Sequence, residues 1–523
     1  MRWSCLVSLG LLSFTAACSS ANFSSIPIPT DPDDPTTPTP VGGCAAKKLP
    51  TEDPCAISDD VGVFVSRSLG SQSGDGSRQR PFASLAAGVA EARRLGKRVY
   101  ACAETYDETL TFADGVSVFG YFECAGGSWT VGSRRATVQA PTSPAARARD
   151  IKSTTRVEAL EIVAPDATLP SQSSIGVLAV DAPGLVFVRS RLHGGVAGHG
   201  APGVDGTQLT NGSSIDGQEG IGFDRCSVNL QFCNLLFSTP RSGGTNVCVG
   251  KPGISGGPGG DGGLGGRYYV DTSLYPIWIQ SSVPPVTNGA GGNANTAAGG
   301  TAQSGPMSGA HGAPGSSGQP GGEVGALDEE VGYVPADGTA GSDGSPGQGG
   351  GGGAGILPPP NQLPPANNNV GFYFYGRLGG GGGAGGCPGL AGTPGRGGGA
   401  SLGLVAIRSE LSLESSTVES GPGGNGGAAG APSTPTLGGR GGAPVSGGWP
   451  GAPGGNGGPA GASGNGGGGP SAAIAYDKAH PVRIGPNVSL VTGAAGSGVA
   501  ERNVAGVLIP ASPSGARFDV LPF

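Results

Sequence analysis

Four histidines, His193, His199, His311 and His480, are the first residues to test for acid–base chemistry, because imidazole titrates near neutral pH. Lyase chemistry on acidic sugars would need a carboxylate cluster for calcium and an Arg or Lys base. Asp181 and Glu414 fall in similar stretches of the chain, but two acids make a thin cluster. Gly399-Ala400-Ser401-Leu402-Gly403 spells the nucleophile-elbow pattern. That pattern needs a strand-to-helix turn, and here a β-strand follows. Many G-x-G-x-x-G matches occur, none inside a βαβ unit. No histidines sit at zinc-finger spacing from the cysteines. The residues assemble no catalytic set, so an enzyme is the less favoured reading, and neither metal nor cofactor is expected.

Ten cysteines pose a second question. The chain opens Met1-Arg2, runs apolar from Leu6 to Phe14, and continues Thr15-Ala16-Ala17-Cys18. A charged start, a short apolar run and small residues make a secretory signal over 1–17. The run is too short to cross a bilayer as a mature helix. Thr15 to Cys18 resembles a bacterial lipobox, with Thr15 where that family usually has Leu. The resemblance implies that Cys18 carries lipid and holds the protein in the cell envelope, at the outer membrane or cell surface. Ordinary cleavage near Ala17 would instead release it. Cys5 leaves with the signal, so Cys44, Cys55, Cys102, Cys124, Cys226, Cys233, Cys248 and Cys387 remain as disulfide candidates. Eight allow 105 pairings; nearness favours Cys44–Cys55 and Cys102–Cys124. Residues 18–43 are rich in Pro and Thr, and read as an extended tether.

These side chains must be positioned by the segments after Val61. VGVFVSRS reads as a strand and SGDGSRQRP as turn chemistry. PFASLAAGVAEARRLG places Phe82, Leu85, Ala86, Val89 and Ala92 on one helix face, with Gly96 as its stop. Short strands follow: RVYACA, ETLTF, VSVFGYF, ATVQA and RVEALEIV. Three later stretches, from Gly176, Gly403 and Ala472, look alike. Ala179, Ala406 and Ala475 correspond, as do Val180, Ile407 and Tyr476. So do Leu185, Leu411 and Val482, and Phe187, Leu413 and Ile484. Repeats of about 20 residues mark stacked coils, because one coil cannot bury its apolar face alone. VAGVLIP, from Val504, looks like the first strand of one more coil.

GDGSRQRPFASLAAGVAEA, then RVYACAETYDETLTFADGVSVFGYF, is similar to the N-terminal part of right-handed parallel β-helix proteins of the pectin-lyase-like class. There a strand and an amphipathic helix cap the first coil, and a strand pair follows. Here that pair carries Tyr106, Glu108, Leu110 and Phe112. The resemblance covers roughly 61–193 well and 401–523 weakly, and implies fold more than function. Gly198-His199-Gly200 also matches a short motif of polygalacturonases, whose histidine works beside three aspartates and a basic pair. No Asn-x-Asp or Asp-Asp pair precedes His199 on the coil strands, and no Arg-x-Lys follows it.

Glycine dominates what lies between the coils. The 523 residues include 107 Gly and 46 Pro, a composition read as disordered unless a period accompanies it. A period does: glycine recurs every third residue at 253–265, 312–321, 338–347, 389–398 and 448–457. Three residues per turn is the polyproline II or polyglycine II period. The blocks are too short for collagen and resemble the intrachain polyglycine II bundles of some antifreeze proteins and phage tip adhesins. The insertions leave at Gly194 and Gly421, after corresponding strand ends, so they emerge on one side. The expected organisation is a cap and first coils over 44–193, a glycine-rich insertion over 194–400 and a coil over 401–420. A second insertion over 421–471 and C-terminal coils over 472–523 complete it.

Two aromatic segments interrupt the glycine: Tyr268, Tyr269, Tyr275 and Trp278, and Phe372, Tyr373, Phe374 and Tyr375. They are candidate ligand contacts, or they pair and pin loops. A net charge of −7 argues against nucleic acid. The expected protein is all-β: a lipid-anchored parallel β-helix with glycine-rich insertions. Its expected role is structural or adhesive, toward polysaccharide or another cell surface. A polysaccharide-active enzyme is the alternative; ice binding by a flat glycine surface is a third reading.

Overall fold

The structure is a computed structural model that describes residues 48–222, 225–226, 239–265, 267–271, 278–282, 305–356, 372–445 and 448–523. Cys18, Cys44, Cys233, Tyr275 and the signal and tether segments lie outside them. Residues 1–56 and 57–523 form separate compact units. Within the first, Pro54–Ala56 forms a 3-10 turn, and the Cys55 N–H donates to Asp53 at 2.9 Å.

The second unit is mostly sheet, with several parallel sheets. Three of these run through it. The first contains Gly62–Val65, Arg98–Cys102, Val118–Glu123, Thr155–Glu158, Leu185–Val188, Ser412–Glu414 and Arg483–Ile484, in that spatial order. The second contains Thr105–Tyr106, Ala136–Gln139, Leu160–Val163, Arg191–Gly194, Thr417–Ser420 and Ser489–Val491. The third contains Leu110–Phe112, Ala146–Arg149, Ser174–Val180, Ser401–Ile407, Ser471–Tyr476 and Arg517–Pro522. From Thr105 on, the chain visits the second, third and first sheets in rotation. Inward rows such as Val63, Val99, Val118, Val157, Phe187 and Leu413 share one apolar core.

The helix Leu85–Leu95 covers the start of this core with Leu85, Val89 and Ala92. Ala86 is exposed, and Gly88 takes its place on the buried face. A Cβ at Gly88 would stand 2.3 Å from Val65. Ser84 caps the N-terminus through the Ala87 N–H, and Glu108 takes the N–H groups of Leu85 and Ala86. Gly96 ends the helix at φ 64°, left-handed backbone that favours glycine.

The corners between sheets are sharp. Ala159, Arg189 and Ser415 stack at one corner with φ near +50°, and Asp150, Asp181 and Arg408 stack at another. Buried serines follow: the Ser190 N–H donates to Ser416 Oγ, and the Ala182 N–H to Ser409 Oγ. These hydroxyls satisfy donors that a turn would otherwise leave unpaired in the core.

Two expectations fail in register. Ala475 pairs with Val405, and Tyr476 with Ala406, one residue away from the alanine-on-alanine alignment. A one-residue slip exchanges faces, and it turns Tyr476 toward the inner core. Val504 starts no further coil. Arg502–Val504 and Val507–Ile509 form an antiparallel hairpin, with Ala505 and Gly506 at φ 52° and 80°, the two-residue turn that matches strand twist. Arg517–Pro522 completes the third sheet instead.

Between the coils, the glycine segments lie side by side, bonded through backbone. Gly312, Gly315, Gly318 and Gly321 donate to Asn456, Pro459, Ala462 and Asn465. Gly344, Gly347, Gly350 and Gly353 donate to Gly389, Gly386, Gly383 and Gly380 in the antiparallel sense. The segment 379–390 lies at the centre, every residue buried. Glycine every third residue suffices where one side meets a neighbour. Gly379–Gly383 is an unbroken run because neighbours press from all sides. A Cβ there would meet carbonyl oxygens of segments 350–353, 439–442 and 242 at 1.9–2.4 Å.

Sheet and glycine segments join without a break. Arg191 pairs with Thr417, 226 residues on. His199, Asp205 and Gln208 still bond partners 226 residues on, deep in the insertions. In the third sheet the Ser401 N–H donates to Pro470, 69 residues on. Gly398, Gly395, Gly389, Gly386, Gly383 and Gly380 keep the same separation.

Candidate functional site

Of the three sheets, two have covered outer faces. Outside the first sheet, Phe64, Tyr100, Phe119, Tyr121, Phe122 and Trp129 form a buried aromatic cluster. Arg78, Arg98 and Arg189 lie over its rings. Burial pushes the Tyr100 hydroxyl up to about 12. Outside the third sheet, Ile175, Leu178, Val180, Leu402, Val405 and Ile407 pack against Tyr333 and Leu327. Those two come from a hairpin of Ala326–Asp328 and Gly332–Val334. Arg149 reaches Glu330 at 2.8 Å and Arg408 reaches Glu329 at 2.6 Å, fastening it.

The second sheet presents a half-exposed charged face. Alternation sends Leu192, Ile162 and Val418 inward, and Arg191, His193, Glu161 and Glu419 outward. Arg191 bridges two strands, 2.9 Å from Glu161 and 2.6 Å from Glu419. His193 Nδ1 stands 3.4 Å from Glu419. The bond to Glu419 is the main cause that holds the Arg191 guanidinium above its ordinary pKa. This Glu–Arg–Glu–His set is the best candidate for recognition of a polar ligand. Sequence reasoning named only His193 of this set, because Glu161 and Glu419 lie 30 and 228 residues from Arg191; carrying the repeat alignment through the outward positions would have found the rest.

The residues singled out for chemistry are dispersed. Asp181 sits at a third-sheet corner and Glu414 on the first sheet, so they form no common cluster. Asp181 pairs with Arg408 at 2.7 Å, whose guanidinium pulls its carboxyl below the usual range. His199 and His311 play the same part, since their Nδ1 atoms accept the N–H groups of Asn425 and Asn456 at 2.9 Å. His480 contacts Asp477. Ser401 is buried, opens a strand, and donates to the Gly195 carbonyl at 2.6 Å, which leaves it no nucleophile's place. Among the described residues, no group of three or more His, Cys, Asp or Glu is placed to hold a metal.

Cys102–Cys124 forms the disulfide expected from nearness, and Cys248–Cys387 a second, 139 residues apart. Cys55 is also disulfide-bonded. Cys226 lies in a short strand beside Tyr373. The aromatic segments join one antiparallel sheet, where Tyr268 and Tyr269 pair with Phe374 and Tyr373, and Asp271 with Trp278. Phe372 pairs with Val270, and Tyr375 with Arg267. Two clefts open on the glycine segments. One, of ≈ 540 Å³, runs between 310–313 and 345–348; the other, of ≈ 500 Å³, is lined by Asn211, Thr245 and Val247. No helix among the described residues is long and apolar enough to cross a membrane. No family model, no curated protein and no solved structure matches the chain.

Proposed function

We propose that the chain is an extracytoplasmic lipoprotein with a structural or adhesive role, built as a right-handed parallel β-helix that carries a polyglycine II bundle. Rotation through three parallel sheets supports the β-helix. N–H bonds at every third residue, to neighbours running both ways, support the polyglycine II reading. The observation that carries the function is the unbroken register from the second and third sheets into the glycine segments. That continuity makes a long backbone-bonded surface with shallow clefts, which suits contact over an area. The lipid anchor on Cys18 would hold that surface to a membrane, facing polysaccharide or another cell. A glycan and whole-cell binding screen tests this: retained ligand without product supports it, and release of product from any polysaccharide sinks it. Cys18→Ser should abolish membrane retention; unaltered retention removes the anchor.

A polysaccharide-active enzyme is the second reading. It is favoured by Glu161 and Glu419 flanking Arg191 on one open face, since paired carboxylates are the usual glycosidase equipment. If product release occurs, Glu419→Gln should abolish it.

A further inference from the structure

Each three-residue turn of a glycine segment offers three N–H groups, and the chain treats them differently. The glycine N–H bonds to a backbone carbonyl of a neighbouring segment. At the outside, the N–H of the residue after glycine has no backbone acceptor, and a side chain takes it. Ala310, Ala313, Ser316 and Gln319 donate to Gln348, Ser345, Ser342 and Thr339 at 2.6–3.1 Å. The same device recurs at Ala431 with Asp205, Arg440 with Asp216 and Asn456 with His311. The third position is proline at Pro314, Pro320 and Pro346, where no donor exists.

One row shows the change from interior to rim. Gly379, Gly382 and Gly385 donate to the carbonyls of Gly263, Gly260 and Gly257. That neighbour does not continue past the turn at Gly253, where φ is 82°. The next members of the row are Pro388, Ala391, Pro394 and Gly397. Two lack an N–H, and the other two donate to Asp343 and Asp337 at 2.8 and 2.7 Å. The donors are removed or capped where the neighbouring segment ends.

We propose that these side-chain acceptors and prolines terminate the glycine bundle, closing a rim that would otherwise add a glycine-rich segment from a second copy of this chain. The occupant follows from chemistry. An added segment must offer glycine every third residue to approach within backbone contact, and this chain holds several such blocks. Charge does little to keep copies apart, because only 13% of residues are charged. The rim residues Ala313, Ser316, Ala340 and Pro346 are exposed. The principle is that of blunted sheet edges, which otherwise template association.

The test compares full-length protein with two rim variants, by light scattering and sedimentation over a hundredfold concentration range. One variant combines Thr339→Ala, Ser342→Ala, Ser345→Ala and Gln348→Ala, which uncaps four donors. The other combines Pro314→Ala, Pro320→Ala and Pro346→Ala, which adds three donors and removes no hydrogen bond, so its fold survives if the first does not. Wild type should hold one mass throughout, and the variants should associate at least tenfold more tightly. A peptide of residues 255–265 should compete with that association, whereas its Gly→Ala counterpart should not. Folded variants that keep the wild-type mass at every concentration overturn the proposal, as does association that neither peptide affects.

Discussion

The sheet coils and the glycine segments solve one problem by opposite means. In the coils, stability comes from what side chains bury: Phe187, Leu413, Leu192 and their stacked neighbours leave water. In the glycine segments most buried positions are glycine, with few side chains such as Ala384, Cys387 and Leu390 among them. What is buried there is backbone, with N–H and C=O groups paired at 2.7–3.1 Å, and glycine loses more freedom on ordering than any other residue. Such bonds contribute modestly each, about 1 kcal/mol net, so many must form together in an imposed register. The coils supply it, because two sheet registers run on into the insertions. The glycine segments thus take their alignment from the parallel sheets while using little of the sheets' side-chain packing.

The largest effect should come from adding one methyl group. At Gly385 a Cβ would stand 1.8 Å from the Gly347 carbonyl oxygen, and no flexible side chain can yield. Gly385→Ala should cost on the order of 5 kcal/mol, in the exceptional range for single substitutions. Hydrogen exchange should show lost protection across 379–398 and retained protection in the coils. Unchanged protection across 379–398 would break the comparison.

The second effect concerns a covalent tie inside the glycine segments. Cys387 lies in the central segment and is fully buried, and it joins Cys248 across 139 residues. A loop of that length implies a contribution of about 5 kcal/mol by the chain-entropy account. Cys248→Ala with Cys387→Ala should lower the denaturation midpoint of the bundle and leave that of the coils. A single shared midpoint would show that the two regions unfold as one.

In the coils the sign reverses, so loss rather than gain of atoms should hurt. Leu413 is fully buried between Phe187 and Ile484. Leu413→Ala should cost about 3 kcal/mol, read from chemical denaturation. A neutral result would mean the inner rows are not the source of the coils' stability.

Legibility in the sequence follows the same divide. The helix, most strands and the Cys102–Cys124 pair were readable, because alternation and caps are local. The glycine period was readable too, since it is a spacing in the sequence itself. The register of Ser471–Tyr476 was not: alanines align equally well one residue apart, and only the observed pairing places Tyr476 opposite Ala406. The Val504 strand misled because an apolar run reads alike in a coil or a hairpin, and only Ala505-Gly506 marks the turn. The charged face around Arg191 was hidden by an insertion of more than 200 residues between its strands. The roles of His199 and His311 were hidden because a capping imidazole and a catalytic one look alike until the partner N–H is placed.

The smallest effect tests where the comparison meets titration. The hairpin 326–334 leaves the glycine segments and covers the third sheet, so it belongs to both regions. Asp328 takes the N–H groups of Glu330 and Val331 at 2.8 Å, and these bonds hold its carboxyl below the usual range. Bonding to Arg408 does the same for Glu329 and Asp181. Depressed folded pKa values mean that this stabilisation is complete above the ordinary carboxylate range. It is lost as pH falls through the folded values, below about 4. The N–H groups of Gly379–Gly386 all go to backbone carbonyls and meet no such group. Acidification from pH 6 to pH 2.5 should therefore release protection at Leu327–Val334 before it touches 379–386, and Glu329→Gln should weaken the pH dependence. Equal loss in both places would mean that the hairpin is fastened by the apolar contacts of Tyr333 and Leu327, with the carboxylates as bystanders.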